Sequence, residues 1–478
     1  MGGDSMSRLP VQPVEAGALL DQTKALLDAG GRLQMAYAWS PAPDQLELRY
    51  VATDPQAGFK VWALPTTSEA PSLAVLSPLM SWYEREIADL YGVRFTGSPD
   101  ETPLVKGVVA GWRATTPEAD SPDIQRLPFG PVRADVVESV ELLFLYVGEH
   151  ILHLHPQLFF KYRAMEQRFE GRSPEHGAIL AERVSGVGSF CHALAYCQAI
   201  EQAAGCTVPP RAKVLRVLLA ELERLYNHLH YLGHLADTTT LKVGQAEGRL
   251  LEEQAKQING RLTGSRFLRS LLTPGGLRRD IAPDSEFLAA IDKLDERTRT
   301  YTAMLEADSS YLDRLLTTGL LDRQAAFDQG ATGPVERASG LDRDLRRDHP
   351  YAAYDRLAVK PATRTAGDAH ARAQVRVEEL EASFELIRRA VEALQDGPIR
   401  EPYRLQGGSE GLGWAEGPRG SLYYAVHFDD QARLSRVKIK SPSFSNWRAF
   451  PFTVHETNMM DYAINEASFG VTVAGCDR

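Results

Sequence analysis

One loop and two histidine pairs contain the residue types and spacings that could do chemistry. The loop is "ERVSGVGSFCHALAYCQAIE", residues 182–201, and it has the frame of a metal-binding loop that runs into a helix. Such a frame would place thiolates at two positions that are Ser185 and Gly188 in this chain. A serine hydroxyl is a poor ligand for a soft metal and glycine offers no side-chain ligand, so the loop predicts no thiolate-bound metal.

The histidine pairs have spacings that could each provide two zinc ligands. His153 and His155 stand two apart in a predicted strand, and His230 and His234 stand four apart in a predicted helix. No third ligand can be identified for either pair, which favours a strand-surface role and a helix-interface role. The sequence also has no phosphate-binding loop, no dinucleotide-binding glycine pattern and no nucleophile elbow.

Composition excludes several classes of protein. The chain has 478 residues, which predicts two or three domains, and its net charge of −10 argues against nucleic-acid binding. We find no run of about 18 apolar residues and no secretory leader, which predicts a cytoplasmic protein. The four cysteines form no C-x-x-C pair and are predicted to be buried free thiols: Cys191, Cys197, Cys206 and Cys476.

Hydrophobic patterns divide the chain into three parts. Residues 15–100 predict a small α/β domain, in which "QLELRYVAT" and "FKVWALP" alternate as strands do and "SPLMSWYEREIADLYGVRF" predicts an amphipathic helix. Residues 101–128 are rich in Pro, Gly and Asp and predict a linker. Residues 129–478 predict a hairpin turning at "VGEH", a mainly helical stretch and a strand pair near the end. The predicted fold class is therefore α+β, with a large, mainly helical bundle domain and peripheral β-hairpins.

Two long helices carry apolar residues at spacings of three and four, which predicts bundle helices with one narrow apolar seam each. The seam positions are Leu215, Leu218, Leu222, Leu225, Leu229 and Leu232 in the first helix, and Val377, Leu380, Phe384, Ile387, Val391 and Leu394 in the second. "SGLDRDLRRDHP" interleaves basic residues with Asp342, Asp344 and Asp348, which predicts an ion-paired surface.

Many of these stretches carry a resemblance to one group of redox proteins. "WYEREIADLYGVRFTGSPD" resembles the signature of the 30-kDa-type subunit of complex I. "FKYRAMEQRFEG", "LRVLLAELERLYNHLHYLG", "GPVERASGLDRDLRRDHPYAAYD" and "EGPRG" resemble the large subunit of membrane-bound group 4 NiFe hydrogenases and the 49-kDa-type, quinone-site subunit of complex I. The two parts are fused here, as in large subunits of the formate hydrogenlyase type.

In those hydrogenases four thiolates hold a nickel-iron centre. The resemblance places the four ligand positions at Ser185, Gly188, Thr472 and Gly475, so none of them is a cysteine here. Cys476 stands one residue from the last position. The resemblance therefore implies a relative of the cysteine-less, energy-converting-hydrogenase-related type, with no cofactor in this chain.

Residues around the lost ligands match the family. Glu166 matches a glutamate that relays protons to the metal, and Arg419 matches an arginine that contacts the iron's diatomic ligands. Arg183 and His192 keep the frame of the first loop. We therefore expect a polar cavity in which the carboxylate of Glu166 faces the guanidinium groups of Arg183 and Arg419. An alternative interpretation is that these charges only hold helices in place.

The quinone ligands of complex I are not retained. The tyrosine position falls on Gly186, and the hairpin-loop histidine falls near Arg133 or Ala134. A quinone bound by other groups, such as Tyr162 or His192, stays open as an alternative.

The resemblance implies a subunit of an ion-translocating redox complex, peripheral on the cytoplasmic face of the membrane. Its expected partners are an iron-sulfur small subunit, which carries the cluster, and ion-translocating membrane subunits, with a quinone or another electron acceptor. The alternative is a structural subunit that bridges the iron-sulfur and membrane arms without chemistry of its own.

Overall fold

A computed structural model describes residues 11–66, 68–105, 121–133, 138–455 and 457–478. Ala134 and much of the predicted linker, residues 106–120, lie outside the described residues. None of the described helices is both long enough and apolar enough to cross a membrane.

Fourteen strands lie in the described part of the chain. They are β1 (Val11–Pro13), β2 (Arg32–Trp39), β3 (Leu46–Asp54), β4 (Gly58–Thr66), β5 (Glu69–Pro71), β6 (Arg94–Thr96), β7 (Gln125–Phe129), β8 (Glu141–Val147), β9 (His150–Gln157), β10 (Leu272–Thr273), β11 (Gly276–Leu277), β12 (Glu410–Gly417), β13 (Gly420–Phe428) and β14 (Leu434–Lys440). They form a four-stranded sheet in the order β1-β4-β3-β2, two three-stranded sheets, β7-β8-β9 and β12-β13-β14, and two strand pairs, β5-β6 and β10-β11.

Sixteen α-helices lie in the same part of the chain. They are α1 (Ala16–Asp28), α2 (Ser81–Tyr91), α3 (Met165–Arg168), α4 (Pro174–Ala181), α5 (Ser189–Ala204), α6 (Pro210–Thr238), α7 (Lys242–Thr263), α8 (Ser285–Ala307), α9 (Ser309–Leu315), α10 (Arg323–Asp328), α11 (Pro334–Ala338), α12 (Leu345–Asp348), α13 (Ala369–Glu392), α14 (Pro442–Ala449), α15 (Tyr462–Phe469) and α16 (Val473–Cys476). This mixture of helices and separate small sheets confirms the α+β class.

The N-terminal elements follow the sequence pattern closely. The glycine pair lies between the end of α1 and the start of β2, and a side chain at Gly31 would collide with Leu26. α2 ends at Gly92, which takes the left-handed conformation that glycine adopts without strain. The predicted hairpin turn is also confirmed, since β8 and β9 pair across residues 148–149.

The two long bundle helices differ from the prediction of a narrow seam. All six leucines of the α6 seam are buried, but α6 is a central helix that also buries charged residues such as Arg216, Glu221 and Arg224. The prediction of a single narrow seam is therefore wrong for α6, because neighbouring elements cover several of its faces. α13 ends at Glu392, so Leu394 lies beyond the helix.

α5 packs directly on the sheet that ends at the candidate site. The predicted strand pair is present as β13 and β14, but β12 precedes it, and the sequence prediction missed this strand. A Cβ atom at Gly411 or Gly413 of β12 would fall well inside contact distance of the α5 backbone, at Ala199 and Ala195 respectively. The two glycines therefore set how closely α5 approaches β12.

Replacing Gly413 by alanine is expected to lower the free energy of unfolding by about 1–3 kcal/mol, because the new methyl group must push the α5 backbone away. Chemical denaturation of the full chain measures this change. Gly17 of α1 has open space around it, so Gly17→Ala is the matched control and is expected to leave stability unchanged or slightly raised. Equal stability of the two variants would contradict the proposed close packing.

Candidate functional site

The four ligand positions lie close together in the structure. Ser185, Gly188 and Gly475 line one small cavity of about 20 Å³. Thr472 lies beside it, where its hydroxyl accepts a hydrogen bond from the Gly475 amide at 3.2 Å and lies 3.2 Å from the Ser443 hydroxyl. We call this space the ligand-position cavity. A space of about this size holds one water molecule.

The residues at these positions do not fit a nickel-iron centre. Two of the positions offer a hydroxyl and two offer no side-chain ligand, whereas such a centre needs soft, anionic thiolates. Cys191 lines the same cavity, but burial and then the Glu223 carboxylate raise the pKa of its thiol well above the ordinary value. Among the residues that the structure describes, no three His, Cys, Asp or Glu side chains are grouped to hold a metal ion.

Arg163 holds the two loops of this cavity together. Its guanidinium donates to the backbone carbonyls of Arg183 at 3.2 Å and Val184 in the first loop, and to the carbonyl of Ala474 in the C-terminal loop. Ala474 is also fixed by its amide, which donates to the Glu138 carboxylate at 2.9 Å. The loop geometry is therefore maintained by a charged side chain and backbone carbonyls.

His192 lies at the start of α5 and lines the ligand-position cavity, as its place in the loop frame predicts. Its Nδ1 atom lies 2.8 Å from the Tyr424 hydroxyl. Burial, together with the nearby Arg163 charge, lowers the pKa of His192 to about 3. The imidazole is therefore neutral at physiological pH and forms a buried hydrogen bond with tyrosine.

Glu166 has different partners from those expected. Its carboxylate lies 2.8 Å from the Arg436 guanidinium, 3.1 Å from that of Arg478 and 3.2 Å from the Lys438 ammonium. Burial opposes the charge, but the three cations prevail and lower the pKa of Glu166 to about 2. The predicted pairing of Glu166 with Arg183 and Arg419 is therefore wrong, because strand β14 and the C-terminal residue supply the cations instead.

A second carboxylate in this cluster comes from the N-terminal region. Glu86 of α2 lies 2.5 Å from Lys438 and 2.9 Å from Arg478, and all of these side chains are buried. We define the five residues Glu86, Glu166, Arg436, Lys438 and Arg478 as the charge cluster. Glu86 belongs to the 30-kDa-type motif, but the sequence prediction did not single it out. The signal in the sequence that could have identified Glu86 was an acidic residue within the stretch of α2 that is otherwise predicted to be buried.

Arg183 and Arg419 occupy separate environments. The Arg183 side chain is 47% exposed and its nearest carboxylate is Glu182 at 3.6 Å, so it does not enter the cavity. Arg419 lines the ligand-position cavity and donates to the carbonyl of Gly470 at 2.6 Å and to the Asn227 side chain at 2.5 Å. Burial and then Arg376 lower the pKa of Arg419 to about 10, so it stays charged at neutral pH.

A larger cavity of about 570 Å³ adjoins the ligand-position cavity, and Arg419 and Val187 line both spaces. We call it the large cavity. Its wall combines charged and aromatic side chains with an apolar surface, and its lining includes Arg133, Glu138, His230, His234, Trp447 and Tyr462. A cavity of this size can hold a small organic molecule. Tyr162 is not among the lining residues, so the geometry does not favour it as a ligand there.

The remaining candidates have structural partners. His230 binds Glu252 at 3.0 Å, and its ring stacks on that of His234 with the centroids 6.3 Å apart. All four cysteines are buried and free, as predicted. The predicted ion-paired surface around residues 342–348 is wrong in part: Arg347 is an exposed partner of Asp342, but Arg346 and Asp344 pair inside the core.

The described chain combines a helical core with a cavity between the loop before α5 and the C-terminal loop. The fold of a chain of the membrane-bound sulfane sulfur reductase, an archaeal respiratory membrane complex, is similar, with a TM-score of 0.70 at 24% identity. The likeness covers 76% of the present chain and 100% of that chain.

Three family models match consecutive parts of the sequence. The 30 Kd subunit of respiratory-chain NADH dehydrogenase matches residues 14–117, nickel-dependent hydrogenase matches 163–255, and the 49 Kd subunit of respiratory-chain NADH dehydrogenase matches 249–407 and 403–478. Consecutive parts of the chain therefore resemble, in order, the 30-kDa-type subunit of NADH dehydrogenase, the nickel-dependent hydrogenases and the 49-kDa-type subunit of NADH dehydrogenase.

Curated relatives extend over most of the chain. Formate hydrogenlyase subunit 5 of Escherichia coli is 27% identical, covering 86% of this chain and 77% of the relative. Hydrogenase-4 component G of the same organism is 28% identical, covering 90% of this chain and 80% of the relative. NADH-quinone oxidoreductase subunit 4 of Thermus thermophilus is 28% identical, covering 74% of this chain and 94% of the relative.

Proposed function

We propose that this chain is a subunit of a membrane-associated, ion-translocating redox complex in which the nickel-iron site has been lost. The relatives named above, which belong to NADH-quinone oxidoreductase, formate hydrogenlyase and hydrogenase-4, support membership of such a complex. The observation that carries the loss of the metal site is that Ser185, Gly188 and Gly475 line a cavity of about 20 Å³ and that Thr472 lies beside it. The chain itself then needs no metal cofactor.

The large cavity is the proposed site of the electron acceptor. It adjoins the ligand-position cavity, so a molecule bound there would lie next to the position that the resemblance assigns to the metal. The partners that this role requires are an iron-sulfur small subunit, which delivers electrons, and membrane subunits, which translocate ions. The complex would lie on the cytoplasmic face of the membrane. A quinone is one acceptor whose ring the apolar part of the wall would accommodate.

The competing proposal is a scaffold without chemistry. The charge cluster favours it, because Glu166 at the family's proton-relay position is held ionised by three cations. The large cavity favours a redox role, since a scaffold does not require a 570 Å³ space beside the converged loops.

Filling the large cavity separates these proposals. Ala463 is exposed and lines the cavity, so Ala463→Trp is expected to occupy part of it without disturbing the core. We expect acceptor reduction by the purified complex to fall at least about tenfold, because the bound acceptor loses its space. Ala303→Trp on the exposed face of α8 is the matched control and should leave the rate unchanged.

Two results would contradict the proposed function. Equal acceptor reduction by Ala463→Trp and wild type would exclude the large cavity as the acceptor site. Stoichiometric nickel in the purified wild-type complex, measured by elemental analysis, would exclude the loss of the metal site.

A further inference from the structure

A network of buried charges crosses the core behind the candidate site. Four carboxyl groups and three guanidinium groups form it by direct contacts within 4 Å, and we call it the core network. Its members are Glu221, Asp344, Glu379 and Glu416, together with Arg224, Arg337 and Arg346. All seven side chains are at most 2% exposed, so their charges must compensate one another.

His228 lies 2.7 Å from Glu379, but burial lowers its pKa to about 4, so its imidazole is neutral at pH 7. The charges of the seven groups then balance when one carboxyl group is protonated, and the contacts indicate which one. Three of the carboxylates each contact two guanidinium groups. Glu221 contacts those of Arg224 and Arg346. Asp344 contacts those of Arg337 and Arg346, and Glu379 contacts those of Arg224 and Arg337. These contacts lower the pKa of each of the three.

Glu416 has the weakest pairing in the network. It contacts Arg337 at 3.2 Å and the Leu345 amide at a long 3.5 Å. Burial and then the charge of Asp344 raise the pKa of Glu416 to about 8. Glu416 is therefore the group that holds the additional proton near neutral pH.

Glu416 also has access to a pocket at the surface. A pocket of about 530 Å³ lies between the N-terminal sheet and the large region, and Glu416 and Asp344 form part of its wall. Other members of the wall are Arg32, Glu336, Arg343 and Tyr423. We call it the inter-region pocket. Protons can therefore be exchanged between solvent in this pocket and Glu416.

The other side of Glu416 leads to the ligand-position cavity. The next three residues, Gly417, Pro418 and Arg419, line that cavity. Arg224 of the core network donates to the backbone carbonyls of Glu416 at 2.7 Å and Gly417 at 3.3 Å. The proton-holding group thus lies between the inter-region pocket and the ligand-position cavity, which adjoins the proposed acceptor site.

We propose that Glu416 is a proton-uptake site that receives its proton from the inter-region pocket. The bound proton compensates the negative charge of an electron delivered to the proposed acceptor site. The step is the binding of one proton from solvent to the carboxylate in the molecules in which it is ionised, a fraction that grows as the pH rises through about 8, and the electron comes from the iron-sulfur partner. The charge compensation rests on the proposed function, whereas the proton binding itself does not.

Charged groups approach Glu416 from several elements. Arg337 and Glu336 approach it from α11, Asp344 and Arg346 from the α12 segment, and Lys440 from β14. Burial and then Arg32 lower the pKa of Lys440 to about 7, so Lys440 also titrates near neutrality. The two groups affect stability in opposite directions, and this allows an experiment to distinguish them.

The pH dependence of unfolding tests the proton binding without any activity. A carboxyl group whose pKa rises from 4.5 to about 8 stabilises the folded chain at low pH and loses that contribution as the pH rises through about 8. Glutamine resembles the protonated form, so Glu416→Gln should match wild type near about pH 5 and unfold at a higher temperature above about pH 9. For Lys440, whose pKa is lowered, the folded state instead gains stability with rising pH.

The controls are Glu385→Gln, which changes an exposed glutamate, and Lys440→Met, which removes the other group. Glu385→Gln should follow the wild-type curve. A Glu416→Gln curve parallel to that of wild type over the whole range would overturn the proposal.

Proton uptake by the purified complex tests the charge compensation. At about pH 8, where Glu416 is close to half-ionised, reduction of wild type should take up more protons per electron than reduction of Glu416→Gln, as measured with a pH indicator dye. Equal uptake, together with a changed stability curve, would keep Glu416 as a proton-binding group and overturn its link to electron delivery.

Discussion

Replacing Glu166 by glutamine is expected to lower the free energy of unfolding by about 3–5 kcal/mol, because it leaves buried cations without their partner. Glu86 would remain paired with Lys438 and Arg478, whereas Arg436 would lose its ion pair with Glu166. Denaturant unfolding of the full chain at neutral pH measures the change. In the wild type, the pKa of about 2 means that this stabilisation is present above pH 4.5 and is lost as the pH falls toward about 2.

A second substitution separates charge imbalance from a local loss of hydrogen bonds. Adding Lys438→Met to Glu166→Gln removes one of the three cations and lowers the excess positive charge of the cluster, so the double variant is expected to be more stable than Glu166→Gln alone. Glu385→Gln serves as the exposed control and should change stability by less than about 0.5 kcal/mol. If Glu166→Gln were as stable as wild type but inactive in the complex, Glu166 would act as a proton relay after all, and the structural interpretation of the charge cluster would be wrong.

The charge cluster also shows what the sequence could not predict. The motif resemblance singled out Glu166 and Arg419 as site residues, and the pattern of apolar residues predicted most of the helices and strands around them. The partners of Glu166 come from residues 270 and 312 positions away in sequence, and Lys438 is a lysine in an otherwise ordinary strand pattern. Pairing over such distances depends on how β14 and the C-terminal segment pack, which no local periodicity encodes.

The core network makes the same point about burial. A run of alternating acids and arginines at residues 342–348 has the composition of a solvated surface, and Arg347 does lie there. Arg346 and Asp344 are instead buried because Glu221 of α6 and Arg337 of α11 pair with them, and Glu416 of β12 pairs with Arg337 in the same network. Composition alone cannot distinguish these cases, since a buried charge is recognised only by its partners on other elements.

Replacing Arg419 by methionine is expected to have the largest effect on activity. Arg419 lines both the ligand-position cavity and the large cavity, and its hydrogen-bond partners, the Gly470 carbonyl and the Asn227 amide oxygen, are uncharged. A guanidinium in that position is free to stabilise negative charge that develops on an acceptor as it is reduced. Loss of such a preorganised donor slows catalysis by about 10²–10³-fold, and we expect a decrease of this size in acceptor reduction by the complex.

Stability distinguishes this role from a structural one. Methionine removes two hydrogen bonds but also relieves the desolvation of a cation without a carboxylate partner, so the free energy of unfolding should change by less than about 2 kcal/mol. Arg183→Met is the matched control: its guanidinium is exposed outside the cavity, and acceptor reduction should stay within about twofold of wild type. Wild-type acceptor reduction by Arg419→Met would show that the acceptor does not approach the junction of the two cavities, because no other cation in the described part of the chain lines both of them.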